Sequence, residues 1–146
     1  QYGRNIRKLI AYLSVRQYIP MARIKELIEE MYGERLSTGT IANIIEECAH
    51  NSKEVYWKVK DLIRASKVVG SDETGTRISG ANAYIWVWQT EKYNFQIASD
   101  NRGFRTVEYC FKEGLPNSIL VSDRYASQLK TKVKANQLCI AHLLRD

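Results

Sequence analysis

The chain has only three cysteines in 146 residues, Cys48, Cys110 and Cys139, an odd number with no close pair. This argues against a disulfide-stapled scaffold and for a reducing cytoplasm. No apolar run is long enough to span a bilayer, and no secretory signal pattern opens the chain, so no membrane is expected among its partners. Internal repeats and low-complexity tracts are also missing. Acidic residues are missing from the first 25 positions, which hold Arg4, Arg7, Lys8, Arg16, Arg23 and Lys25. Residues 26–66 hold five basic and eight acidic side chains, and residues 67–146 eleven and eight. The formal net charge of +6 and the pI of about 9.3 are therefore concentrated at the N-terminal end. Such an end suits a polyanionic partner, although a solvated helix face has the same composition. The first residue is Gln1 rather than Met, which reads as a piece of a longer protein.

What is present is globular: 45% hydrophobic and 26% charged, enough for one ordinary domain or two small ones. The first 66 residues carry a helical period. Ile6, Leu9, Ile10 and Leu13 form one apolar stripe, and Ile24, Leu27, Ile28 and Met31 a second. Pro20 suits a helix start and Gly33 a helix stop. Ser37 is a good N-cap for a third helix bearing Ile41, Ile44, Ile45 and Cys48. A fourth helix is expected to turn Val55, Val59, Leu62 and Ile63 inwards. A helix, a short connection and an N-capped helix give the outline of a helix-turn-helix, with Thr38, Thr40 and Asn43 near the start of the reading helix. Any small helical bundle shows the same stripes, and Glu46 and Glu47 would repel phosphate if they faced it.

From Lys67 the period changes. Val68–Ser71, 83–90, 93–99, Ser118–Ser122 and 137–140 read as strands. Helices are expected over 104–112 and 126–129. A tight turn is expected at Thr74-Gly75. Three antiparallel strands followed by a crossover would set the fourth strand beside the first and parallel to it, which is the ribonuclease-H-like arrangement. Asp72 and Asp123, fifty-one positions apart, would then stand at the same ends of strands about 4.8 Å apart. Carboxylates so held can bind Mg²⁺ or Mn²⁺ and serve phosphoryl chemistry; ordinary strand-end residues capping loops are the plain alternative.

Several neighbours have two readings. Glu73 would point away from Asp72 if the strand continued, as a supporting or surface acid. Cys139 and His142 have Cys-x-x-His spacing, but Cys48-x-His50 makes a poor second half of a zinc site. Otherwise Cys139 is core, and His142 shares a helix face with Arg145, where both could reach a phosphate. Trp86 and Trp88 share one strand face, to stack bases or, more commonly, to cover a sheet. Arg102, Lys130, Lys132 and Lys134 border the site and could steer DNA, or belong to an exposed loop or edge strand.

The ordered set Asp72-Glu73-Thr74-Gly75, the Trp86 strand, Arg102-Gly103, Val121-Ser122-Asp123-Arg124-Tyr125 and Cys139 through Asp146 resembles the insertion-sequence-66 family of bacterial transposases. The helical stretch with Ser37-x-Gly39-Thr40 is similar to that family's region before its core. The resemblance implies a catalytic core with an Asp-Asp-Glu set binding Mg²⁺ or Mn²⁺. Asp72 matches the first acid and Asp123 the second. Arg102, Arg124, His142 and Arg145 are the candidate phosphate or DNA contacts beside them. The third acid, a Glu, is expected beyond Asp146, and Glu73, Glu108 and Glu113 do not stand where it belongs. The expected protein is α/β (α+β), with residues 1–66 a helical DNA-binding or assembly region and 67–146 a partial catalytic core. It would be the front part of a transposase acting near the nucleoid on element-end and target DNA as a homo-oligomer, inactive by itself. The alternative is a non-catalytic DNA-binding or assembly module.

Overall fold

The computed structural model describes residues 2–123 and 125–144, and its contacts divide the chain into two compact units, Gln1–Glu54 and Val55–Asp146. The fold is mixed α+β, with helices first and a five-stranded mixed sheet after them.

The first unit is built on α1 (Arg4–Ala11), a π-helical turn (Tyr12–Arg16), α2 (Met21–Tyr32) and α3 (Thr38–Asn51). Ile10, Leu13, Ile24, Ile28, Ile41 and Ile44, from the predicted stripes, form its buried core with Leu36, which lies outside them, each contributing on the order of 2 kcal/mol of apolar burial. Two stripe ends differ: Met31 and Cys48 are exposed, because each lies where its helix runs past the core. Pro20 precedes the first residue of α2, and Gly33 ends that helix in the left-handed region at φ 70°, the conformation a glycine adopts without steric cost. The Ser37 hydroxyl caps α3 by accepting the Thr40 N–H at 3.0 Å.

The second unit begins within α4 (Lys53–Arg64) and continues through β1 (Val68–Ile78), β2 (Ala81–Gln89), β3 (Asn94–Ser99), α5 (Phe104–Cys110), β4 (Leu115–Ser122), α6 (Ala126–Leu129), β5 (Val133–Leu138) and α7 (Ile140–Leu143). The break between units falls ahead of the helical-to-strand transition at Lys67, because α4 packs on the sheet. Ile63 is buried there, and Tyr56 and Trp57 lie against Phe95. The Tyr56 hydroxyl donates to the Gln96 carbonyl at 2.7 Å. Val55 and Leu62, expected inwards, are exposed; the aromatic residues took the inner face instead.

The strand order is β3-β2-β1-β4-β5. β1, β2 and β3 form an antiparallel meander, β4 pairs parallel with β1, and β5 parallel with β4. The buried face carries Val69, Trp86, Trp88, Phe95 and Leu120 against Val107 and Cys110 of α5 and Phe111 just after it. Trp86 and Trp88 stack at 5.7 Å with 0% and 1% exposure, so they cover the sheet and present no surface for bases.

One expectation is overturned. β1 does not stop at Ser71 and turn at Thr74-Gly75; it runs eleven residues to Ile78. The turn is Ser79-Gly80, both at positive φ (51° and 81°), a two-residue hairpin loop whose twist matches the strands it joins. Asp72 therefore lies inside a paired strand, opposite Val87.

Candidate functional site

The parallel pairs Val68↔Ile119, Val69↔Leu120 and Gly70↔Val121 share one offset. Carried two residues on, that offset sets Asp72 against Asp123 where β4 has just ended. Strand alternation puts both on the face opposite Val69, Ser71 and Leu120. Asp72 is exposed and Asp123 half-buried.

Each carboxylate is oriented by one backbone donor. Asp72 Oδ1 accepts the Glu73 N–H at 2.9 Å, and Asp123 Oδ1 accepts the Tyr125 N–H at 2.9 Å. The Oδ2 atom of each takes no hydrogen bond from the described residues. Two carboxylates with one oxygen each to spare suit a hard divalent cation, since Mg²⁺ is commonly held by one or two carboxylates with water and phosphate completing its shell. Among the described residues no three His, Cys, Asp or Glu side chains cluster as a metal site.

Glu73 turns to the other face, and its side chain is 1% exposed. Its Oε1 accepts from Arg102 Nε at 3.1 Å and from Nη2 at 2.9 Å, and its Oε2 from Gln128 Nε2 at 2.7 Å. This carboxylate raises the Arg102 pKa further above its usual value. The Arg102 guanidinium lies 4.4 Å from the Tyr125 ring centroid, a cation–π contact.

The loop carrying Arg102 is fixed from both sides. The Asn101 carbonyl accepts from Trp86 Nε1 at 3.1 Å and from Thr106 Oγ1 at 2.9 Å, and the Asn101 side chain accepts the Gly103 N–H. Arg102 is half-exposed, and with two of its five N–H groups on Glu73 it keeps donors for a phosphate.

Sequence reasoning left Gln128 and Asn101 unmarked. Gln128 sits in a one-turn helix with no distinguishing pattern around it. The burial of Glu73 was visible in strand alternation once the strand is allowed to continue past Asp72.

β5 brings a third segment to this edge. The Cys139 N–H donates to the Ser122 carbonyl at 2.8 Å, so α7 starts beside the end of β4. A hydrogen bond from His142 lowers the Cys139 pKa. His142 is half-buried in α7. Arg124 and Arg145, the other expected phosphate contacts, lie outside the described residues.

In the first unit, Thr38 and Asn43 are exposed at the start of α3, while the Thr40 hydroxyl is engaged with Ser37 at 2.9 Å. Glu46 is exposed and Glu47 is paired with Arg7 of α1. Arg4, Arg7 and Lys8 line a groove between α1 and the end of α3. The zinc reading finds no support, since neither Cys48 and His50 nor Cys139 and His142 belong to a metal-sized cluster among the described residues.

The family model described as Transposase IS66 family matches residues 1–146. The chain belongs to this family of transposases. No curated protein is detectably similar to it. Membership in the IS66 family makes DNA the partner to consider, and no described helix is long and apolar enough to cross a membrane.

Proposed function

We propose that this chain works within a transposase that cuts and joins phosphodiester bonds with Mg²⁺ or Mn²⁺, Asp72 and Asp123 being its catalytic and metal-holding carboxylates. The observation that supports this reading is the common offset of the β1 and β4 pairs, which, carried two residues past Gly70↔Val121, would bring Asp72 and Asp123 side by side. The ribonuclease-H-like reading of the second unit rests on the order β3-β2-β1-β4-β5 and on the parallel crossover to β4.

When bound, the cation supplies Lewis-acid activation of the attacking oxygen and stabilisation of the leaving one. Asp72 and Asp123 would hold the cation, whose positive charge would let a phosphate approach the two carboxylates. In hydrolysis at the element end, a water oxygen bonds to phosphorus as the bond to the 3′-oxygen breaks, freeing a 3′-hydroxyl. In joining, that 3′-oxygen bonds to a target phosphorus as the target's own 3′-oxygen leaves. Arg102 directs its free N–H groups to a phosphate oxygen, with Arg124, His142 and Arg145 as further contacts. The first unit binds element-end DNA or drives homo-oligomeric assembly. Its basic α1 meets phosphate, and Thr38 and Asn43 lie at the exposed start of α3.

The test is Asp72→Asn, assayed for strand cleavage and for DNA binding in the full chain. Loss of cleavage with binding retained is expected; retained cleavage rejects the assignment. A second reading, a DNA-binding or assembly module without catalysis, is favoured by the lack of a third clustered ligand among the described residues. DNA binding with Mn²⁺ affinity unchanged by Asp72→Asn and by Asp123→Asn would favour that module.

A further inference from the structure

Glu73 occupies a costly position. A carboxylate with a 1% exposed side chain must be charge-paired, and its pairing occupies Arg102 and the buried Gln128, whose Oε1 has no hydrogen-bond partner. An apolar side chain would fill the same space at least as stably, since buried ion pairs are weak sources of stability. What the pair does achieve is connection. Glu73 follows Asp72 in β1, and its carboxylate holds the Arg102 guanidinium. That guanidinium lies on the Tyr125 ring, and the Tyr125 N–H donates to the Asp123 carboxylate. Gln128 of α6, three residues past Tyr125, grips the other Glu73 oxygen. A closed path of contacts thus runs from one aspartate to the other, across strands whose own pairing ends at Gly70↔Val121.

We infer that Glu73 is a positioning residue: through Arg102, Tyr125 and Gln128 it holds the segment bearing Asp123 against the strand bearing Asp72, so that both carboxylates meet one divalent cation. This rests on the proposed role of the two aspartates. Groups that support metal ligands in this way typically change affinity by 10–100-fold when removed.

The experiment is Mn²⁺ titration of the full chain, followed by the paramagnetic resonance of free Mn²⁺ well below the thermal midpoint of each variant. Glu73→Ala is expected to weaken Mn²⁺ binding about tenfold, and Tyr125→Ala, which leaves the Glu73–Arg102 pair intact, also to weaken it. Glu73→Gln keeps the shape and is expected to fall between Glu73→Ala and wild type. Asp72→Asn removes the binding, and adding Glu73→Ala to it changes nothing further. If Glu73→Ala does not fold, Glu73→Gln and Tyr125→Ala carry the test. A lowered midpoint with Mn²⁺ affinity within about twofold of wild type in these variants, while Asp72→Asn loses the ion, overturns the positioning role and leaves the aspartates standing. Wild-type affinity in Asp72→Asn itself overturns the metal site and this inference with it.

Discussion

Trp88→Ala tests whether the buried sheet face that carries β1 is as closely packed as described. Trp88 is 1% exposed, stacks on Trp86 at 5.7 Å, meets Phe111 edge-on at 5.1 Å and lies 6.0 Å from Phe95. Its strand partner is Ser71, the neighbour of Asp72. Truncating a buried aromatic of this size costs about 3–5 kcal/mol through lost burial and the cavity left behind. A unit the size of Val55–Asp146 has roughly 5–14 kcal/mol to lose in all. The midpoint should therefore fall by roughly 15–30 °C. All three tryptophans, at positions 57, 86 and 88, belong to this unit. The fluorescence of Trp57 and Trp86 in a thermal melt thus reports the second unit without interference from the first. A loss below about 1 kcal/mol would mean that the face is loosely packed, against the burial described for it.

In the first unit, Ser37→Ala removes the α3 cap and should cost about 1 kcal/mol by helix circular dichroism on denaturation; no change would show that the cap bond is dispensable. Gly33→Ala forces a Cβ into the left-handed region and should cost about 1–2 kcal/mol by the same melt, whereas a neutral result would mean that α2 ends otherwise. Cysteine alkylation should be ordered by acidity. Cys139, lowered by its hydrogen bond from His142, keeps its thiolate to lower pH, whereas burial pushes the Cys110 thiol up to about 11. Native labelling near neutral pH, read by peptide mass, should mark Cys139 and spare Cys110, and His142→Ala should move the Cys139 rate profile to higher pH. An unmoved profile would remove His142 from that role.

Much of the fold was written in period and punctuation. Ile24 and Ile28, closed by Pro20 and Gly33, defined α2, and Ser37 marked the start of α3. The alternation of Trp86 and Trp88 marked β2, and the change of period at Lys67 marked the sheet. The end of β1 was misread because Thr74-Gly75 has turn-like composition. Cross-strand pairing to Ile85 and Tyr84 kept it extended, a tertiary effect that no local window contains. The inner face of α4 was misread for a related reason: Tyr56 and Trp57 had Phe95, on a distant strand of the sheet, as a partner. At the site, the fifty-one-residue offset between Asp72 and Asp123 was legible in the sequence, and the β1–β4 pairs share that offset. The Glu73–Arg102–Gln128 contacts were not, because they join three segments that only the folded sheet brings together.

The central claim is that Asp72 and Asp123 hold one ion between them. Mn²⁺ titration of wild type, Asp72→Asn, Asp123→Asn and the double variant tests it as a thermodynamic cycle. The account predicts that each single change loses the ion and that the double loses no more than either. Two losses that add independently, or a single variant with wild-type affinity, would contradict it.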